Sequence, residues 1–159
     1  MTDHSSDVVP PLSVSGLTIE DGLDIAMWRA PGPWTVEDSL KPPQPDEGYW
    51  AVRDAEDRLV GYCCFGEKAR PLGLPAKLGT LDVALGLDPT LAGHGVSRLL
   101  AAAVVEHGRE VADNRTLRCA VASWNAVGRH TTEAAGFTFV GTHEVKGGSA
   151  VVTYHVYEM

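Results

Sequence analysis

The stretch that decides the fold covers residues 80–106 and reads TLDVALGLDPTLAGHGVSRLLAAAVVE. Its first part is rich in leucine and valine, which predicts a buried strand that Asp88 and Pro89 end. A turn of small residues follows and leads directly into a run whose apolar residues recur at helical spacing. The sequence therefore predicts a strand, a glycine turn and a helix in immediate succession.

The turn at residues 92–97 is a candidate site for an anionic group. Its two glycines allow the backbone to approach a ligand closely. The free N–H groups of the first helical turn point toward such a ligand, along the positive end of the helix dipole. Because a Gly-x-Gly turn before a helix is also common as a plain loop, the turn needs support from the rest of the chain.

The composition indicates one globular domain. The chain has 159 residues, of which 44% are hydrophobic and 21% charged, and this length is enough to bury a single core. We expect residues 1–10 to form a disordered tail and residues 11–159 to form the domain. No apolar run approaches the ~20 residues that cross a bilayer, and the polar start has neither a secretory signal nor a transit peptide. A cytoplasmic protein with no membrane partner is expected.

Charge and cysteine usage narrow the partners further. The net charge is −8, which argues against nucleic acid because a phosphate backbone requires a basic face. An acidic surface suits a cationic small molecule or peptide, although it also simply promotes solubility. Cys63, Cys64 and Cys119 lie in apolar runs without histidines at ligand spacing. Free buried thiols and no metal site are therefore predicted.

The predicted order of strands and helices along the chain is β, α, α, β, β, β, α, β, α, β, β. The first helix begins at Thr18, with Asp21 three residues later as in a capping box, and a second short helical turn is predicted at residues 35–40. One side of the first helix carries Ile19, Leu23, Ala26 and Met27. The order predicts an α+β fold with a mixed sheet, in which the helix after the glycine turn crosses between two strands that can lie parallel.

Two segments resemble the GNAT family of acyltransferases. Residues 84–100, ALGLDPTLAGHGVSRLL, are similar to the family's acetyl-coenzyme A motif. Residues 120–141, AVASWNAVGRHTTEAAGFTFVG, are similar to the strand, Asn, helix and AGF segment that follows that motif. The resemblance extends over residues 12–158. It implies a mostly antiparallel sheet with helices on both faces and a V-shaped splay between its two parallel strands.

The resemblance also implies a binding site for acetyl-coenzyme A as co-substrate, with no metal. Backbone groups of the strand before the turn would bond the pantetheine arm, the turn would hold the pyrophosphate, an arginine after it would reach a phosphate, and an asparagine would reach the arm. These implied cofactor-binding residues are Leu85, Leu87, Ala92, Gly93, His94, Gly95, Val96, Ser97, Arg98 and Asn125.

Three positions depart from the family's pattern. Ala92 stands where the family usually has Gln or Arg, and Ser97 stands where it has Gly or Ala. Thr132 stands where the family often has a Tyr that protonates the departing thiolate. These departures leave open a second interpretation, a catalytically idle acyl-coenzyme A binding module of the same fold.

The first interpretation is an N-acetyltransferase in which a primary amine attacks the thioester directly within a ternary complex. Asp82, next to the splay, is a candidate general base because partial burial would raise its pKa, and Glu37 and Asp38 are alternatives. Thr132 is a candidate hydrogen-bond donor to the sulfur, and coenzyme A thiolate is also a tolerable leaving group without one.

The acceptor itself is described only by class, as a small-molecule or peptide amine. Trp28, Trp34 and Glu37 lie in or beside a proline-rich connection near the expected entrance, and we assign them as candidate acceptor-binding residues. Exposed hairpin edges would allow a homodimer, as the family often forms.

Overall fold

The computed structural model of the protein describes residues 8–29 and 41–159, and its strands form a single sheet. The seven strands, numbered along the chain, are β1 (Ser13–Gly16), β2 (Tyr49–Arg53), β3 (Leu59–Phe65), β4 (Thr80–Leu87), β5 (Thr116–Ala122), β6 (Thr138–Gly147) and β7 (Ala150–Glu158). They lie in the order β1-β2-β3-β4-β5-β7-β6. Neighbouring strands are antiparallel except for β4 and β5, which are parallel. The predicted mixed sheet is confirmed.

Helices cover both faces of this sheet. They are α1 (Ile19–Met27), α2 (Val96–Ala112) and α3 (Ala126–Ala134). Consecutive residues of β2 show the two layers, because Ala51 packs with Ile25 of α1 whereas Val52 belongs to the cluster that contains Leu100 of α2. The helical turn predicted at residues 35–40 lies outside the described residues. None of the helices in the described ranges is both long and apolar enough to cross a membrane.

The first helix begins as predicted, but a different side of it is buried. The Thr18 hydroxyl accepts from the Asp21 N–H, and the Asp21 carboxylate accepts from the Thr18 N–H, both at 3.0 Å. The residues of α1 that face the protein are Asp21, Gly22 and Ile25. The apolar residues that the spacing grouped together are largely exposed, with fractions of 69% for Ile19, 53% for Leu23 and 76% for Met27.

Two contacts of α1 explain which side is buried. Arg53 of β2 donates to Asp21 Oδ1 at 2.6 Å, so the carboxylate turns inward to meet its ion-pair partner. The backbone of Gly22 comes so close to Pro43 that an added Cβ would lie 2.5 Å from the carbonyl oxygen. Tertiary contacts, rather than apolar spacing, orient this helix.

The turn between β2 and β3 is held by Asp54. One carboxylate oxygen accepts from the N–H groups of Glu56 and Arg58 at 3.0 Å, and the other accepts from Val9 N at 3.2 Å and from the Arg58 side chain at 2.9 Å. Burial acts to raise the pKa of Asp54, but these donors outweigh it and lower the pKa below 3.8. Val9, in the segment expected to be a tail, is thus bonded to the hairpin.

The sheet opens between its two parallel strands. β4 and β5 pair through three residue pairs, the last being Asp82 with Arg118. Beyond that pair β4 continues to Leu87 and β5 to Ala122, and each remains paired on its outer side to β3 or β7. We call the Asp82–Arg118 pair the vertex and the open ends of the two strands the mouth. The V-shaped splay predicted from the resemblance is confirmed.

Candidate active site

A cavity of about 560 Å³ occupies the open V. Its walls are residues 83–87 of β4 and 119–122 of β5, with residues of α2 and α3 on one side and of α1 on the other. Most of these side chains are small or aliphatic. The cavity is therefore an apolar slot that passes between the two strands, from one helical layer to the other.

The backbone of β4 presents unshared hydrogen-bonding groups to this slot. Gly66 N donates to Asp82 O at 2.9 Å, and Asp88 N donates to Val60 O at 3.0 Å, so the even-numbered residues of β4 bond toward β3. In an antiparallel pair these directions alternate. The N–H and C=O groups of Leu85 and Leu87 therefore point into the V, where β5 has separated. They can bond an extended chain lying in the slot.

The glycine turn lies at the mouth of the V and leads into α2. Gly93 and Gly95 have φ values of 84° and 75°, which residues with a Cβ rarely adopt. Gly95 is the N-cap of α2, and its cap has no side-chain hydrogen bond, so the first N–H groups of the helix remain available for a ligand. Of the predicted turn residues, Ala92, Gly93 and Ser97 line the cavity.

Three other residues predicted to bind the cofactor lie elsewhere. His94 is exposed, and Val96 belongs to the hydrophobic core, with an exposed fraction of 3%. Arg98 borders a separate hollow between α2 and α3. Any role of His94 and Val96 would therefore come from the backbone of the turn, and a role of Arg98 requires its side chain to reach around the helix end.

Asn125 starts α3 at the edge of the cavity. Its Oδ1 accepts from Gly128 N at 2.7 Å, which caps the helix. Asn125 also lines the cavity, and its side-chain N–H groups do not take part in the cap. The residue therefore fixes the helix start and brings a hydrogen-bond donor to the slot.

Thr132 lines the cavity but is already bonded. Its hydroxyl donates to Gly128 O at 2.7 Å, so the hydroxyl hydrogen is engaged within the helix. Near Thr132, burial raises the pKa of the Cys119 thiol to about 12, although a hydrogen bond with Thr132 acts in the opposite direction. Neither group is disposed to give a proton or to act as a thiolate nucleophile near neutral pH.

Asp82 closes the vertex by ion pairs. Arg118 donates to it through Nε at 2.6 Å and Nη2 at 3.1 Å, and Arg70 Nη1 lies 3.3 Å away. The side chains of Asp82 and Arg118 are 5% and 7% exposed. Both carboxylate oxygens are thus engaged by guanidinium groups of the chain itself, and the carboxylate is almost fully enclosed. This geometry favours a structural role and does not favour the predicted role of base.

Aromatic residues form the wall on the α1 side. Trp28 and Tyr62 both line the cavity, with ring centroids 6.2 Å apart, and Tyr49 packs on Tyr62 at 6.0 Å. Trp34, Glu37 and Asp38 lie outside the described residues. Within residues 8–29 and 41–159, no carboxylate or imidazole lines the cavity.

Two tyrosines of this wall were missed in the sequence analysis. Tyr62 and Tyr154 line the cavity, and each lies in a strand that flanks one arm of the V. The available signal was that each belongs to a strand predicted to form a hairpin. Choosing them required the pairing register, which the sequence does not show.

The slot fits coenzyme A in the features that the structure describes. An arm with amide groups would find the backbone groups of Leu85 and Leu87, its apolar parts would face aliphatic walls, and a pyrophosphate would lie at the bare start of α2. The backbone groups of β4 and the start of α2 thus follow one another in the same order as the amide groups and the pyrophosphate of coenzyme A.

Comparisons with known proteins agree with this geometry. The family model of the acetyltransferase (GNAT) family matches residues 19–137. A GNAT-family acetyltransferase from Bacillus anthracis is 13% identical, with 95% of both chains covered and a TM-score of 0.71. A chimera of the Vibrio cholerae spermidine N-acetyltransferase SpeG is 16% identical, with 93% of this chain and 94% of that chain covered and a TM-score of 0.69.

A third structure is of AAC(6′)-Ib in complex with paromomycin and acetyl-coenzyme A. It is 16% identical, with 92% of this chain and 93% of that chain covered and a TM-score of 0.66. At such identities these structures show the shared fold alone. No curated protein sequence matches the chain. Since the family model covers most of the chain, the protein belongs to the GNAT family of acetyltransferases.

Proposed function

We propose that the protein is an N-acetyltransferase that transfers the acetyl group of acetyl-coenzyme A to a primary amine. The observation that carries the proposal is the free backbone edge of Leu85 and Leu87, which runs along the slot toward the bare N-terminus of α2. The co-substrate would supply an activated acyl group as a thioester. The contribution of the chain is to hold that group at the opening toward the α1 side.

The residues of the slot support direct attack by the amine. The backbone N–H groups near Leu85 and Leu87 are placed to stabilise negative charge that develops on the acyl oxygen. A covalent route through a cysteine is disfavoured, because burial raises the pKa values of Cys63 and Cys119 to about 12 and a neutral thiol is a weak nucleophile. The amine therefore attacks while both substrates are bound.

The acceptor we propose is a cationic amine with an apolar part. Trp28 and Tyr62 provide an aromatic wall, which favours aliphatic or aromatic groups and also cations. The net charge of −8 attracts a protonated amine to the surface. A structural relative is a spermidine N-acetyltransferase, and Trp34 and Glu37 remain predicted acceptor-binding residues.

A catalytically idle binding module is the second candidate. Thr132 replaces the tyrosine expected from the family pattern, and its hydroxyl is bonded to Gly128 O. Ala92 and Ser97 also depart from that pattern at the turn. A protein of this kind would bind acetyl-coenzyme A and release no thiol with any amine.

The first experiment is calorimetric titration of the protein with acetyl-coenzyme A and, separately, with coenzyme A. We expect micromolar binding that Gly95→Glu weakens at least about tenfold, because a carboxylate would face the pyrophosphate at the helix start. Gly148→Glu is the matched control, since Gly148 has a φ of 59° with open space around it and is not among the cavity-lining residues.

The second experiment measures thiol release with spermidine, paromomycin, benzylamine and hexylamine. Release with at least one amine, together with the acetylated product by mass spectrometry, supports the transferase. Binding without release for all four would favour the idle module, and absence of binding to either ligand would contradict both candidates.

A further inference from the structure

The register of the sheet places two tyrosines at the same level of the V. Gly86 and Ala122 each lie four residues beyond the last β4–β5 pair, Asp82 with Arg118. Four residues correspond to about 13 Å along a strand. Tyr62 is paired with Gly86, and Tyr154 is paired with Ala122. The two arms therefore carry a phenol each at equal distance from the vertex.

Both phenols lie on one face of the sheet. Residues two or four apart in a strand, and residues directly opposite in paired strands, project to the same face. Asp82 and Arg118 form an ion pair, so their side chains lie on the same face of the sheet. Gly86 and Ala122 share that face because each lies four residues further along its strand, and their partners Tyr62 and Tyr154 therefore share it too. Cys119 projects to the opposite face, where it meets Thr132. The tyrosines thus lie on the α1 side, with Trp28.

Tyr62 is held directly over β4. A Cβ added to Gly86 would lie 2.3 Å from the Tyr62 ring and 2.7 Å from its hydroxyl oxygen. The ring therefore occupies the space that any larger residue at position 86 would fill. Trp28 and Tyr49 pack against this ring at 6.2 Å and 6.0 Å. Its hydroxyl lies above the segment whose neighbours, Leu85 and Leu87, turn their backbone groups into the slot.

We propose that Tyr62 is the proton-transfer residue of this site, which gives its phenolic proton to the departing coenzyme A sulfur and takes a proton from the attacking amine nitrogen. The C–N bond forms and the C–S bond breaks, and the phenol is regenerated. Amine and thioester thus become amide and thiol with no other reactant. The inference rests on the proposed N-acetyltransferase function and assigns the proton transfer to a residue on the α1 side, opposite the face on which Thr132 lies.

The other groups around the slot are less suited to this transfer. The Thr132 hydroxyl hydrogen is bonded to Gly128 O, and burial raises the pKa of the Cys119 thiol to about 12, so this thiol does not readily give up its proton near neutral pH. Tyr154 has the same level and face as Tyr62, and we favour Tyr62 because its ring packs on Trp28 and its hydroxyl lies over Gly86. Tyr154 is therefore the competing assignment, and the tests below separate the two.

The first test does not require an acceptor. The chain has four tyrosines, so protein labelled with 13C at the tyrosine Cζ gives four ring signals, which single Tyr→Phe variants assign. We expect the Tyr62 signal to shift on saturation with acetyl-coenzyme A, and to shift differently with coenzyme A, because the phenol contacts the sulfur. The Tyr49 signal should stay in place, since Tyr49 packs behind Tyr62 and does not line the cavity.

Calorimetry run beside this test separates two kinds of failure. A Tyr62 signal that does not move while acetyl-coenzyme A binds would overturn the assignment of Tyr62 and leave the proposed function intact. Absence of binding altogether would overturn the proposed function and, with it, this inference.

The second test is kinetic and uses whichever of the four amines gives the fastest thiol release. Tyr62→Phe is expected to lower kcat by about 100-fold while the KM for acetyl-coenzyme A stays within about twofold. Tyr49→Phe is the matched control in the same aromatic cluster and should leave kcat within about twofold. A larger loss in Tyr154→Phe than in Tyr62→Phe would transfer the role to Tyr154 and overturn the proposal.

Discussion

The vertex and the mouth of the V are built from the same two strands by opposite means. At the vertex, Asp82 and Arg118 join the strands through buried charge, and both side chains are almost fully enclosed. Four residues further on, the corresponding positions are Gly86 and Ala122, whose side chains are absent or minimal. The difference teaches that a buried ion pair accompanies the closed end of the sheet, whereas the facing positions at the open end carry small residues that leave room between the arms.

This contrast also separates structural from chemical roles. The carboxylate of the slot region is used to hold the strands together, whereas the groups that face the mouth are backbone amides and phenols. A titratable residue close to a cavity is thus a poor guide to catalysis until its partners are known.

The largest effect is expected at the vertex. Asp82→Ala would leave the guanidinium of Arg118 buried without its main partner, and we expect the free energy of unfolding to fall by about 3–5 kcal/mol. Denaturant unfolding measures the loss. Asp57→Ala is the control, because Asp57 is 90% exposed in its 3.7 Å ion pair with Arg53, and such pairs contribute little. If Asp82→Ala lowers the free energy of unfolding by less than about 1 kcal/mol, the Asp82–Arg118 ion pair contributes little to stability.

A smaller loss of stability is expected at the mouth from Gly86→Ala. The new Cβ would lie 2.3 Å from the Tyr62 ring, and the displacement should cost about 1–3 kcal/mol. It should also lower kcat, if Tyr62 transfers the proton. Gly16→Ala, which adds a Cβ in open space within β1, controls for the change of residue type. Unchanged stability and kcat would mean that the ring moves aside freely.

Asn125 lies at the edge of the mouth, and we expect its side chain both to cap α3 and to contact the ligand. Asn125→Ala removes the 2.7 Å bond to Gly128 N and should cost about 1 kcal/mol as well as affinity for acetyl-coenzyme A. Asn125→Asp keeps the capping oxygen but loses the amide donor, so it should retain most of the stability and still bind the ligand more weakly. Equal affinity in Asn125→Asp and wild type would limit Asn125 to capping.

The smallest effect is expected from Cys119. Since its pKa is raised to about 12, the thiolate forms only as the pH rises toward that value, and about one thiol in 10⁴ is ionised at pH 8. Ellman's reagent should react slowly with the folded protein and rapidly after denaturation. Cys119→Ala should leave thiol release within about twofold. Fast labelling of one folded-state thiol with loss of turnover would instead indicate a covalent route.

Local signals in the sequence were sufficient for most of the fold. The glycine turn before α2, the capping box of Thr18 and Asp21, and the turn residues of the hairpins act over a few residues, and the structure has these elements where they were predicted. The exposed side of α1 was not predictable in this way. It depends on Arg53 and Pro43, which lie distant in sequence and meet the helix only in the folded chain.

The same distinction between local and distant contacts applies to the candidate site. The turn and the strand before it lie beside the slot, and their positions were predictable because glycine conformation and strand pattern are local; their binding role stays a prediction. The ion pair of Asp82 was not predictable, because its partner Arg118 is 36 residues away and only the parallel pairing brings the two together. Tyr62 was not singled out, because its position over the slot depends on the small residue opposite it, Gly86, which belongs to another strand.

The short β4–β5 pairing also bears on how the chain folds. Strands β1–β4 and strands β5–β7 form two half-sheets, each built from antiparallel neighbours, and three residue pairs join them. Each half is a candidate cooperative unit that can open by itself. A ligand that lay along β4 and filled the gap would act as an extra strand between the halves. Binding would then add a link between the halves beside the shared core, with slower amide exchange across the whole sheet rather than only at the contact.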